Sequence, residues 1–151
     1  MAVQHELSIA RHIIASPATV WRIFTTRTGE WWCPKPWTTP VVDWDLRPGG
    51  SARVVMETPE GQRHEHDGVF LEVVPEHRVV FTDAFCGDWE PDGPFMVVII
   101  EFTPVDGGTR YTARVRHWTD EALKQHEAMG FEAGWGAVAG QLAALAEAEP
   151  K

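Results

Sequence analysis

Residues 119–147, TDEALKQHEAMGFEAGWGAVAGQLAALAE, decide the fold. Within them Phe131, Trp135, Val138, Leu142 and Leu145 recur at spacings of four, three, four and three, which places them along one face of an α-helix. Thr119 can cap the first turn with its hydroxyl oxygen, and Asp120 and Glu121 set negative charge where unsatisfied N–H groups point. Followed backward, the apolar stripe falls on Lys124 and Glu127, so the N-terminal third of the helix is expected to project over an opening rather than be buried. Gly130 and Gly134 each cost about 1 kcal/mol relative to alanine in a helix interior, which suggests a bend at Gly130 or a close backbone approach there. Almost everything upstream reads as strand. The helix therefore has one partner, a sheet curved around it.

The upstream chain supplies that sheet. His5 to Ile14 alternates imperfectly, with Leu7, Ile9 and Ile13 on one side, and forms a first strand. Ser16 as N-cap and Pro17 at the first helical position start a short helix whose buried face is Val20, Trp21 and Phe24. A second short helical turn fits Thr25 to Trp32, and Pro34, Pro36 and Pro40 end it. From Val41 onward the pattern is β. Val42–Trp44–Leu46, Ala52–Met56, His64–Val74, Val79–Phe85, Met96–Phe102 and Thr109–His117 alternate between turns at Pro48-Gly49-Gly50, Pro59-Glu60-Gly61, Pro75-Glu76 and Asp106-Gly107-Gly108. Strands joined by tight turns pair as antiparallel neighbours, and a sheet of about seven such strands twists and curls until its concave face needs covering. The expected class is α+β, in a single domain spanning residues 1–151.

Composition narrows the function. A net charge of −9 without clustered Lys and Arg argues against nucleic-acid and anionic membrane surfaces. Met1 to Ser8 lacks the basic and apolar run of a signal peptide, which points to a cytoplasmic protein with Cys33 and Cys86 as free thiols. Eight tryptophans against one tyrosine fit a wide aromatic interior, and fit a bulky core equally well.

Several local motifs together resemble a known family. They are Ala15-Ser16-Pro17 with Val20-Trp21, Trp31-Trp32 before Pro34, and Asp45-Leu46-Arg47-Pro48-Gly49-Gly50. Gly68 to Pro75 follows, then Arg78 to Thr82, Gly108-Thr109, and Gly130 with Gly134-Trp135. In order and spacing they are similar to the helix-grip proteins of the SRPBCC, START and Bet v 1-like superfamily. More narrowly they resemble bacterial relatives of the activator of the heat-shock-protein-ninety ATPase, a link to stress response. The resemblance implies two short N-terminal helices, a long C-terminal helix on the concave face, and a cavity between helix and sheet for a small apolar molecule. It implies no catalytic residues.

The residues expected to line that cavity are Trp32, Trp44, Phe81, Asp83, Phe85, Val98, Tyr111, Val115, His117, Met129, Phe131 and Trp135. Asp83 and His117 stand out as polar groups on the inward side of apolar strands, where they either contact a ligand or sit at strand ends in water. Trp31, Trp37 and Trp89 join Trp32 and Trp44 as wall candidates or as core and loop anchors. His64 and His66 share one strand face at a spacing some metal sites use, but the apolar parity beyond them turns both outward, so no metal or cofactor is expected. Arg110, Arg114 and Arg116 read as a solvated outer face.

The leading expectation is a non-enzymatic binder of a small hydrophobic or aromatic molecule. The first alternative is a polyketide-cyclase-like or hydrolase-like enzyme using Asp83, His117 and Tyr111 for proton transfer, which requires those groups to converge. The second is a cochaperone-like partner of a chaperone ATPase. A homodimer is compatible with either and is not argued by any residue.

Overall fold

The computed structural model describes residues 5–150; Met1 to Gln4, part of the N-terminal stretch read above, lie outside them. The chain opens with strand β1 (Glu6–Ile13) and helix α1 (Pro17–Thr26), where Ser16 accepts the Thr19 N–H as N-cap and Pro17 opens the first turn. The second N-terminal helix is one 3-10 turn, Thr28–Glu30. The strands that follow are β2 (Thr38–Trp44), β3 (Ala52–Glu57), β4 (Arg63–His66), β5 (Val69–Val74) and β6 (Arg78–Thr82). A two-residue hairpin, β7 (Phe85–Cys86) with β8 (Glu90–Pro91), precedes the long strands β9 (Met96–Val105) and β10 (Gly108–His117). Helices α2 (Asp120–Ala128) and α3 (Phe131–Glu147) end the chain.

The expected single sheet of about seven strands is instead divided. The main sheet has five antiparallel strands in the order β1-β10-β9-β6-β5, and β2-β3-β4 form a separate three-stranded sheet. The division falls at Asp67-Gly68, inside what reads as one strand from His64 to Val74, and one isolated bridge, Ser51 to Val69, still links the two sheets. Gly68 is required at this crossing, because a Cβ there would collide with the Thr82 carbonyl. A register shift between Phe70 and Glu72 then buries Phe70 and turns Leu71 outward, against the inward place its parity suggested.

β10 follows the expected alternation throughout, with Thr109, Tyr111, Ala113, Val115 and His117 all buried. Two of the three outward arginines are partnered across strands: Arg114 bonds Glu101 and Arg116 bonds Glu6. The inner face of this sheet shares one hydrophobic core with α1 and α3, joined through Phe24, Phe102, Val138 and Leu142.

The long C-terminal helix is two helices. Thr119 caps α2 by accepting the Ala122 N–H, and the chain turns at Gly130, whose φ of 90° lies in the left-handed region that glycine tolerates without strain. In α3 the buried residues Val138, Ala139, Leu142, Ala143 and Ala146 crowd the C-terminal half, and the small alanines let the helix lie close to β1 and α1. The N-terminal half carries Gly134, where a Cβ would meet nothing, while Gly136, equally bare, faces the hollow beside β1. Tight seating at one end and the missing side chain of Gly134 at the other leave a void under the start of α3.

Candidate functional site: a cavity beneath the first turns of α3

The void is a partly open cavity of about 270 Å3. Its roof is Phe131, Gly134, Trp135 and Val138 of α3, and Met96, Ile100 and Tyr111 of the main sheet form its floor. One wall is the Trp31–Pro34 segment; the other is made by Met56 and His66 of the small sheet together with Asp83 and Phe95. His126 and Met129 of α2 close one end, and the exposure of His66 and Met129 marks the mouth.

The tryptophan wall is held from above. Gln141 of α3 donates through Nε2 to the carbonyls of Trp31 (3.0 Å) and Cys33 (2.9 Å), and its Oε1 accepts the Lys35 N–H at 3.1 Å. Behind the wall Trp31 packs on Phe24 and Trp32 on Trp44, with ring centroids 4.9 and 5.2 Å apart. Desolvation raises the buried Cys33 thiol above its ordinary range, an effect that a contact with Thr39 partly offsets, so it is a poor nucleophile.

A hydrogen-bonded chain of rings seals the α2 end. Trp135 Nε1 can only donate, and it lies 3.2 Å from His126 Nε2, so that nitrogen is the acceptor. Neutral His126 then carries its proton on Nδ1 and donates to His117 Nε2 at 2.9 Å. Burial, and then the proximity of His117 and His66, holds the His126 pKa down at about 4. Burial likewise lowers His117, against the opposing influence of the His5 carbonyl and Asp83.

Two polar groups retain bonding capacity toward the cavity. Tyr111 is 2% exposed, and its hydroxyl has no hydrogen-bond partner among the described residues; burial pushes its pKa well above the ordinary phenol value. Asp83 accepts the N–H groups of Phe95 (2.8 Å) and Met96 (3.1 Å) on Oδ1, leaving Oδ2 without a partner among the described residues.

Of the residues expected to line the cavity, the structure brings together Trp32, Asp83, Tyr111, Met129, Phe131 and Trp135. The others lie elsewhere. Val98 and Val115 share the inward face of the floor but are packed over and fully buried, and Trp44 and Phe81 stand behind Trp32 as its packing partners. Phe85 leaves the line of β6 for the β7–β8 hairpin, where it meets the exposed Trp89. His117 is covered by the His126 ring, so Asp83, His117 and Tyr111 do not share the cavity wall as a proton-transfer set.

Trp37 stacks on His64 outside the cavity. His66, expected to face outward, lines the mouth, because the small sheet folds over at Gly68. Sequence reasoning also missed His126, Phe95 and Gln141. For His126 the periodicity gave no signal: nine residues before Trp135 it falls on the opposite side of a continuous helix, and only the break at Gly130 turns it inward. No metal-holding group of three or more His, Cys, Asp or Glu occurs among the described residues, and no described helix is long and apolar enough to cross a membrane.

The arrangement has known counterparts. Residues 14–147 match the model of the family described as Activator of Hsp90 ATPase homolog 1-like protein. A crystal structure of a Nitrosomonas europaea protein is 39% identical, covers 96% of each chain and superposes with a TM-score of 0.91. A Mycobacterium smegmatis protein is 28% identical over 100% of this chain and 99% of its own, with a TM-score of 0.80. An AHSA1 protein from Silicibacter pomeroyi is 25% identical, covers 93% of this chain and 96% of its own, and gives a TM-score of 0.70. No curated protein matches the chain. With the family model spanning nearly all of the sequence, the chain belongs to the Activator of Hsp90 ATPase homolog 1-like family.

Proposed function

We propose that this protein binds a small, mainly apolar molecule between the C-terminal helix and the sheet, in the manner of a helix-grip protein, and holds it without transforming it. The observation that carries this reading is the cavity itself: about 270 Å3 walled by tryptophan, phenylalanine and methionine side chains, whereas the other hollow among the described residues, between β1 and α3, is lined mainly by polar groups such as Ser8, Arg11 and Glu132. An apolar cavity of about 150 Å3 accepts benzene, so this one has room for a ligand of roughly ten heavy atoms. Met129 and Met96 at its edges adapt to varied shapes. The His126 ring, which covers His117 and keeps it off the cavity wall, weighs against the proton-transfer alternative.

Native mass spectrometry of gently purified protein, followed by NMR titration with 2-phenylethanol as an uncharged aromatic probe, tests the reading. A co-purified small molecule, or saturable shifts at Trp32 and Trp135, is the expected result. Linear, unsaturable shifts spread over the surface contradict it.

The family description supports a second reading, a partner of an Hsp90-type ATPase. Stimulation of that ATPase by the purified protein is its direct assay, and a flat response removes it.

A further inference from the structure

Among the described residues Asp83 is the only formally charged side chain on the cavity wall, and no Lys or Arg lies within ion-pairing distance of it. Its Oδ1 is held by the N–H groups of Phe95 and Met96, which fixes the carboxylate plane and leaves Oδ2 free. The neighbouring imidazoles do not neutralise it. His126 is held neutral by burial and by the adjacent histidines, and no imidazole among the described residues lies within ion-pairing distance of Asp83. A half-buried carboxylate without a counter-ion, set among aromatic faces, is chemically incomplete.

We infer that the cavity takes an organic cation: an ammonium group on an aromatic or aliphatic body of about ten heavy atoms. The ammonium lies beside Asp83 Oδ2, and the body lies against the rings of Trp32, Phe95 and Trp135. The inference rests on the ligand-binding reading above and names the ligand class of that same site.

Three considerations support it. A carboxylate and the faces of electron-rich rings attract the same partner, because the ring quadrupole is negative over its face. The half-exposed position of Asp83, near the solvent-exposed His66, lets an ammonium keep part of its hydration, which limits the desolvation cost that a deeply buried cation would incur. The acidic chain, with a net charge of −9, attracts cations at long range and repels carboxylic acids. An anionic ligand finds no Lys or Arg on the wall and meets the charge of Asp83.

The test uses three probes of one shape: 2-phenylethylamine, 2-phenylethanol and phenylacetate. Each is titrated near about pH 7.5, where the amine is charged and the acid ionised, and affinities are read from NMR shifts in wild type and Asp83→Asn. The amine is expected to bind roughly tenfold more tightly than the alcohol, in line with a hydrogen bond to a charged group, and the acid more weakly than either. In Asp83→Asn the amine falls to the level of the alcohol. The alcohol changes far less than the amine, since its hydroxyl donates to the carboxylate or accepts from the asparagine Nδ2, while an asparagine Oδ1 still accepts the Phe95 and Met96 N–H groups.

Equal affinity for amine and alcohol in the wild type overturns the inference while leaving the binding reading intact. So does an amine preference that survives in Asp83→Asn. Failure of both amine and alcohol to bind removes both readings. Should the variant not fold, the wild-type comparison of three probes decides alone.

Discussion

Gly134→Leu separates an open cavity from a packing detail. A Cβ at Gly134 meets no atom within 4 Å, the residue lies on the cavity roof, and its φ is not in the left-handed region, so a leucine enters without backbone strain. Replacing glycine inside a helix recovers about 0.8 kcal/mol of propensity. Burial of the isobutyl group adds up to about 2 kcal/mol. For a chain of this length each kcal/mol shifts the melting temperature by about 2–4 °C, so thermal denaturation followed by circular dichroism should show a rise of at least about 2 °C. On the benzene scale four carbons occupy roughly 100 Å3, over a third of the space, so affinity for 2-phenylethanol should drop at least about tenfold. A folded variant that binds the probe as the wild type does, or one that melts several degrees lower, refutes the reasoning: in the first case the ligand is not in this cavity, in the second the space is not there.

Three further outcomes follow from the packing. His126 has a folded-state pKa of about 4 against an ordinary value of 6.5, so the unfolded chain takes up the proton first; stability is full above about pH 6.5 and falls between 6.5 and 4 by about 2–3 kcal/mol. His117 and His66 are shifted in the same direction. Urea midpoints across that window should fall more steeply in wild type than in His126→Gln, and identical slopes count against the ring chain. Leu142→Ala, at a site with no exposure where α3 docks, should cost about 3 kcal/mol in denaturant unfolding; a loss below about 1 kcal/mol means that α3 is loosely seated. Gly68→Ala should destabilise by more than about 2 kcal/mol because its methyl meets the Thr82 carbonyl, and a neutral result contradicts the crossing between the two sheets.

Much of this architecture was legible in the sequence because it rests on periodicity. The alternation from Thr109 to His117 and the helical stripe from Phe131 to Leu145 are burial patterns, and burial sets both the elements and their facing sides. What alternation cannot show is where a strand changes sheet. His64 to Val74 keeps its parity across Asp67-Gly68, so nothing in the pattern marks the fold-over that carries His66 to the cavity mouth.

The same limit governs the site. Trp32, Tyr111 and Trp135 were readable as inward residues, but so were Val98 and Val115, and only the height of α3 above the sheet decides which of them borders empty space. That height depends on alanines at one end of α3 and on Gly134 at the other. His126 escaped notice because α2 turns its buried face independently once Gly130 breaks the helix.

Whether the space beneath the first turns of α3 receives a ligand is read from the indole resonances. Trp31, Trp32 and Trp135 border the cavity, whereas Trp37, Trp89 and Trp118 are exposed outside it. In 15N-labelled protein titrated with 2-phenylethylamine and 2-phenylethanol, the account predicts saturable shifts of the Trp32 and Trp135 indole N–H signals with those of Trp37, Trp89 and Trp118 unmoved. Shifts confined to the three exposed indoles, with the cavity tryptophans silent, would contradict it.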